Sequence, residues 1–130
     1  VQLLGTGIWD DAALIRRVNL DGAWLASSPP SATGLFEQRF MANYTYQPPR
    51  IASLAYDAVS LAVTLAAGER GFTRSSLTNP AGFNGPANGN FRLHADGTVE
   101  RALAVLQVSG ATFGVIDLAP KSFIAPAAQP

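Results

Sequence analysis

Apolar residues fall in short runs near the start of the chain, at helical spacing through its middle and in strand-like runs towards its end. The first run, residues 1–4, predicts a core strand that ends at Gly5-Thr6-Gly7, where glycine permits a sharp turn. Asp10 and Asp11 then stand ahead of Ala12, Ala13, Leu14 and Ile15 as residues that start a short helix. A second strand is predicted over residues 22–26, after the turn formers Asn19 and Asp21. It stops at Ser27-Ser28-Pro29-Pro30, read as a connector.

From about Thr33 the residues Leu35, Phe36, Phe40, Met41 and Tyr44 recur at intervals of three and four, one face of an amphipathic helix that Pro48-Pro49 terminates. Residues 50–67 predict a second helix closed by Gly68. Its many alanines suggest a buried helix packed closely on a sheet, and its length and its interruptions by Ser53, Asp57, Ser60 and Thr64 argue against a membrane anchor. A helical turn is expected at residues 74–77 and an irregular loop at the glycine- and asparagine-rich residues 82–90. Strands follow at residues 90–93, 101–108 and 112–117, separated by turns at Asp96-Gly97 and Ser109-Gly110, as an antiparallel meander. Residues 119–130 lack a packing pattern and are expected to form a flexible tail.

Composition narrows the functional classes. Nine basic and nine acidic residues cancel, so no long-range field attracts nucleic acid. The absence of cysteine removes disulfides, thiolate metal sites and cysteine nucleophiles. His94 is the only histidine, so a multi-histidine metal site is excluded and a serine triad would need His94 as its base. No metal or cofactor is expected. The N-terminus has no basic start, apolar segment or cleavage site, so the chain is expected to begin in mid-fold.

Three segments in order carry a family resemblance: the Phe-x3-Phe-x3-Tyr spacing at Phe36, Phe40 and Tyr44; residues 49–61 with Ala55-Tyr56-Asp57-Ala58-Val59; and Phe83-x-Gly85 followed by Phe91-Arg92-Leu93 and Asp96-Gly97. Across residues 1–117 the chain resembles the C-terminal part of type 1 periplasmic solute-binding proteins of the leucine/isoleucine/valine-binding family. The resemblance implies an α/β chain with part of the type 1 periplasmic-binding-protein fold, Rossmann-like lobe elements and the C-terminal meander. It implies two lobes: residues 1–23 and 102–118 in the second, residues 24–101 in the first. It further implies binding of a small solute, an amino acid or related amphipathic molecule, in a cleft between lobes, and delivery to the membrane permease of an ABC-type importer without enzymatic chemistry. The location would be periplasmic, with a lipid anchor on the full-length protein as one form. The same fold also serves regulatory lipoproteins that activate penicillin-binding proteins, with a cell-wall synthase as partner. Because neither lobe is complete in 130 residues, a fragment or an intertwined homo-oligomer is expected.

By the same resemblance the cleft loop is residues 5–10, with Thr6, Trp9 and Asp10 as ligand-binding candidates. The carboxylate that meets a ligand ammonium in amino-acid-binding members would fall on Gly7, so Asp10 or Asp11 would have to replace it. Trp9 would stack on the ligand and Thr6 donate a hydrogen bond. The plain alternative is that Trp9 packs between strands and Asp10 caps the helix. Gly5-Thr6-Gly7 lacks the third glycine and lysine of a phosphate loop. Asn84, Asn88, Asn90 and Asp96 lack the alternating carboxylates of a calcium loop. Tyr56 and Asp57, about 100° apart on a helix, cannot both face a sheet, so one packs and the other caps or pairs. His94 reads as an exposed turn residue, and a hydrolase built on it is the remotest reading.

Overall fold

The computed structural model describes residues 1–123, apart from the surroundings of the Ala12 side chain. The described residues divide into two compact units, Val1–Pro29 with Leu103–Ala119, and Pro30–Ala102 with residues 120–123.

The first unit is built on a strand-helix-strand element. Strand β1 (Leu4–Thr6) leads through a 3-10 turn (Gly7–Trp9) into helix α1 (Ala12–Arg17), and the chain returns as β2 (Trp24–Ser27), parallel to β1. A parallel pair needs such a crossover, because a tight turn can join only antiparallel neighbours. Strand β6 (Ala104–Ser109) pairs antiparallel with β2, and β7 (Thr112–Asp117) with β6, giving the order β1-β2-β6-β7. Side chains alternate across this sheet. Leu25, Ala104, Leu106 and Val108 point to one face and join Ile15, Leu20 and Ala23 in a closed cluster, against which Trp9, Phe113 and Ala119 pack.

The second unit opens with α2 (Pro30–Tyr44) and α3 (Arg50–Ala67), followed by the short α4 (Arg74–Leu77) and a three-stranded antiparallel sheet of β3 (Phe83–Gly85), β4 (Gly89–Leu93) and β5 (Val99–Arg101). A capping box between Thr73 and Ser76 starts α4. On α2 the Phe-x3-Phe-x3-Tyr spacing makes an aromatic ladder. Phe36 stands 5.9 Å from Phe40 and 5.2 Å from Tyr56 of α3, and Phe40 stands 4.6 Å from Tyr44. Thr45, with a φ of 62°, ends α2 in the left-handed region that a β-branched residue rarely enters.

Several expectations change. β1 lies two to three residues later than predicted, so Gly5 and Thr6 are strand, not turn. The second strand lies at residues 24–27, not 22–26, and forms β2 beside β1 with continuous register to both β1 and β6. Pro30 begins α2, since proline suits a first helical turn. The expected loop at residues 82–90 contains β3 and the start of β4, closed by Gly89 with a φ of 80°. The run 101–108 divides: β5 ends at Arg101 in one sheet and β6 starts at Ala104 in the other, so the antiparallel strands form two hairpin systems. The prediction of a buried α3 fails, because only Asp57 and Leu65 of its eighteen residues are buried. Within the expected tail, Ala119 packs on the first unit's core and Phe123 lies under the Arg92 guanidinium at 5.0 Å. Residues 124–130 of that tail lie outside the described residues.

Candidate functional site

β1 and β2 run parallel, so their carboxyl ends lie side by side and the chain leaving each must turn away. Such an edge of a parallel sheet is where open α/β folds present loops and backbone groups to ligands. Here it bears Thr6 and the 3-10 turn after β1, and Ser27 and Ser28 at the end of β2.

The loop is held by its own chemistry. Asp10 donates its backbone N–H to the Gly7 carbonyl at 3.2 Å, and Asp11 to that of Trp9 at 2.7 Å. The Trp9 indole lies over Gly5, where any β-carbon would collide with its six-membered ring. Glycine at position 5 is therefore a packing requirement for Trp9. Asp11 caps α1, its Oδ1 accepting from the N–H groups of Ala13 at 2.7 Å and Leu14 at 3.4 Å. The helix-capping role considered for Asp10 thus belongs to its neighbour. Asp10 Oδ2 instead accepts a 2.6 Å hydrogen bond from the Ser27 hydroxyl across the parallel pair. Ser27 is buried on the same side of β2 as Leu25, and the carboxylate satisfies a hydroxyl whose burial would otherwise be costly.

Thr6, Trp9 and Asp10 therefore share one loop in different settings. Thr6 is exposed and makes no side-chain cap, Trp9 is half-buried on the core, and Asp10 is tethered to Ser27. Sequence reasoning missed Ser27. Its signal was its place two residues after Leu25, which puts a hydroxyl on the inward face of a strand. Gly7 abuts this pair, with Ser27 Oγ 3.4 Å from where a β-carbon would stand. The arrangement offers a carboxylate, hydroxyls and an indole edge, a set able to bind and orient.

Two other polar clusters lie in the second unit. Asp57 is 2% exposed; its Oδ1 accepts from the Ala87 N–H at 2.8 Å and its Oδ2 from the Asn88 amide at 2.9 Å, while Tyr56 meets Phe36. Gly85 packs beneath that carboxylate, with Asp57 Oδ2 2.7 Å from its missing β-carbon. This explains the glycine of Phe83-x-Gly85 and makes Asn88 a structural residue. On the β4–β5 hairpin, Glu100 Oε2 takes hydrogen bonds from Arg92 at 2.7 Å and faces His94 Nε2 at 3.1 Å. The bond from Arg92 holds the Glu100 carboxyl below its ordinary range. Asp96 is lowered likewise, first by the Thr98 N–H and then by its hydroxyl, both bonded to Oδ1 across the Gly97 turn. Among the described residues, no group of three or more histidine, cysteine, aspartate or glutamate residues is placed to hold a metal ion.

No protein-family model matches the sequence, and no curated protein matches it. Solved structures do match. A Rhodospirillum rubrum protein assigned to branched-chain amino acid ABC transport superimposes with a TM-score of 0.74 over 89% of this chain, at 20% identity. The leucine-binding protein of Thermotoga maritima gives 0.59 over 89% at 18% identity, and an ABC-transporter solute-binding protein of R. palustris, solved with benzoate, gives 0.59 over 98% at 22% identity. The chain spans 37%, 36% and 38% of those three chains respectively. At these identities the likeness shows the fold: mixed α/β, corresponding to part of a type 1 periplasmic-binding-protein fold.

Proposed function

We propose that this chain is the ligand-contacting part of a periplasmic solute-binding protein that takes up a small amphipathic solute, an amino acid or a relative of one, and delivers it to the permease of an ABC-type importer. The observation that carries the reading is the Asp10–Ser27 pair at the carboxyl edge of the parallel strands β1 and β2. The likeness to three solute-binding folds supports it. In this reading Asp10 stands in for the carboxylate that Gly7 lacks, because Asp11 is committed to capping α1. Ser27 fixes the orientation of that carboxylate, Thr6 donates to the polar end of the solute, and the exposed part of Trp9 covers its apolar end. The role is binding, with no bond made or broken.

A thermal-shift screen against branched-chain amino acids, their amides, short peptides and benzoate tests the proposal. A solute present at 100 times its dissociation constant stabilises by about 2.7 kcal/mol and raises the midpoint. The reading fails if the folded protein shows no shift with any of these solutes, or if Asp10→Ala leaves every observed shift unchanged.

A further inference from the structure

Strand β1 carries a glycine that its backbone does not require. Gly5 pairs with Leu25 inside the β1–β2 ladder, and its φ is outside the left-handed region, so its conformation is open to any residue. Glycine in a strand gives up backbone entropy and contributes no packing, and it often marks a place where another group approaches closely. Here that group is the Trp9 indole. A β-carbon at position 5 would lie 2.2 Å from Trp9 Cε3, 2.4 Å from Cδ2 and 2.7 Å from Cζ3, whereas ordinary contact begins at 3.4 Å.

Of the two sides of this contact, only the ring is free to give. The strand is fixed by its register, Leu4 with Trp24, Gly5 with Leu25 and Thr6 with Ala26. The backbone at Trp9 is fixed from its far side: the Trp9 carbonyl accepts from the Asp11 N–H at 2.7 Å, Asp11 caps α1, and the Asp10 carboxylate accepts from Ser27 at 2.6 Å. A side chain at position 5 therefore displaces the indole by more than an ångström away from β1 and leaves the Asp10–Ser27 pair in place. Gly5 is thus the seat that sets how deep the ring lies.

We infer that Gly5 determines the size of the solute's apolar end. By letting the indole lie close against β1 it leaves room for a bulky group, branched or cyclic, where a β-carbon would leave room only for a small one. The inference rests on the solute-binding reading, in which the exposed part of Trp9 covers that end. It adds a selectivity that Asp10 and Ser27, which serve the polar end, do not supply.

Gly5→Ala tests it in two steps. In a Trp24→Phe background Trp9 is the only tryptophan of this chain. Without solute, Gly5→Ala should shift Trp9 emission and raise its quenching by acrylamide as the ring lifts from the core. Unchanged emission and quenching would overturn the inference. With solute, dissociation constants for leucine and alanine are measured by calorimetry. Gly5→Ala should weaken leucine relative to alanine by about tenfold or more, the scale on which an apolar pocket separates groups differing by a methylene or more. In a Trp9→Ala background the same substitution should leave that ratio unchanged, because no ring remains to be displaced. Equal weakening of both solutes, or the same change of ratio with and without the indole, would overturn the inference and leave the binding reading intact. If Gly5→Ala does not fold, Trp9→Ala opens the same space from the other side and should favour phenylalanine over leucine; an unchanged ratio there would overturn the inference. Binding of none of these amino acids by the unsubstituted protein would remove the premise, and silence across the whole solute screen would sink the binding reading with it.

Discussion

Leu106 and Val59 are both apolar residues near the middle of a regular element, and their surroundings are opposite. Leu106 is 1% exposed, closed in by Leu25, Ile15 and Val108 in the first unit, whereas Val59 projects from α3 of the second unit with most of its surface uncovered. The first unit covers one face of its sheet with local chain: α1 and the residues around it return directly onto β2 and β6. The second unit joins its helix to its sheet through a buried aspartate and leaves the apolar side outward. Burial of apolar area in one closed cluster holds the first unit, and in the second a hydrogen-bonded carboxylate ties α3 to the β3–β4 turn beside a smaller set of buried apolar residues, Leu65 and Phe91 among them. Similar apolar patterns therefore end covered in one unit and exposed in the other.

Mutations separate the two modes. Leu106→Ala removes a fully buried side chain and is expected to lower stability by about 3 to 4 kcal/mol in denaturant unfolding, from lost transfer energy and the cavity left behind. Asp57→Ala is expected to cost about 3 kcal/mol, because the Ala87 N–H and the Asn88 amide lose their acceptor at a site that excludes water. Asp57→Asn keeps the shape but presents an amide to the Asn88 amide, so it should recover only part of that loss. If Asp57→Ala cost less than Val99→Ala on the exposed hairpin, the contrast between the units would collapse.

The smallest effect concerns the β4–β5 hairpin of that sheet. Glu100 is held below the ordinary glutamate value near 4.5 by Arg92 first and then by His94. A carboxyl depressed by folding contributes stability above its unfolded pKa and loses it as pH falls through the folded one. The thermal midpoints of the protein and Glu100→Gln should therefore differ slightly at pH 7, begin to converge as pH falls below about 4.5, and meet only below the lowered folded value. High salt should narrow the gap at pH 7, since the group is exposed.

Much of this architecture was legible in the residues. Helix α3, the turn at α4 and strand β7 lie within the residues predicted for them, because helical spacing, a Thr/Ser cap and the Gly110 turn act locally. What the residues could not show was partnership. The run from Arg101 to Val108 looks continuous until β5 pairs with β4 and β6 pairs with β2, a choice made by contacts distant in sequence. That one of Tyr56 and Asp57 packs and the other pairs was legible, and Tyr56 meets Phe36 while Asp57 pairs; the partners of Asp57, Ala87 and Asn88, lie 30 and 31 residues on and were not. At the candidate site, Thr6, Trp9 and Asp10 were singled out from a loop by resemblance, while Ser27 was absorbed into a connector. The pair it forms with Asp10 spans seventeen residues and depends on β1 and β2 being parallel.

The central claim is that a solute binds against the loop after β1, and Trp9 is a reporter already in place there. The difference in tryptophan emission between the protein and its Trp9→Phe variant isolates that indole from Trp24 and from any other tryptophan. Titration with a solute that raises the thermal midpoint should produce a saturable change in this difference signal, with the same dissociation constant as the thermal stabilisation, and Asp10→Ala should weaken both together. A solute that stabilises the protein while the Trp9 signal stays flat would place binding elsewhere and contradict the account.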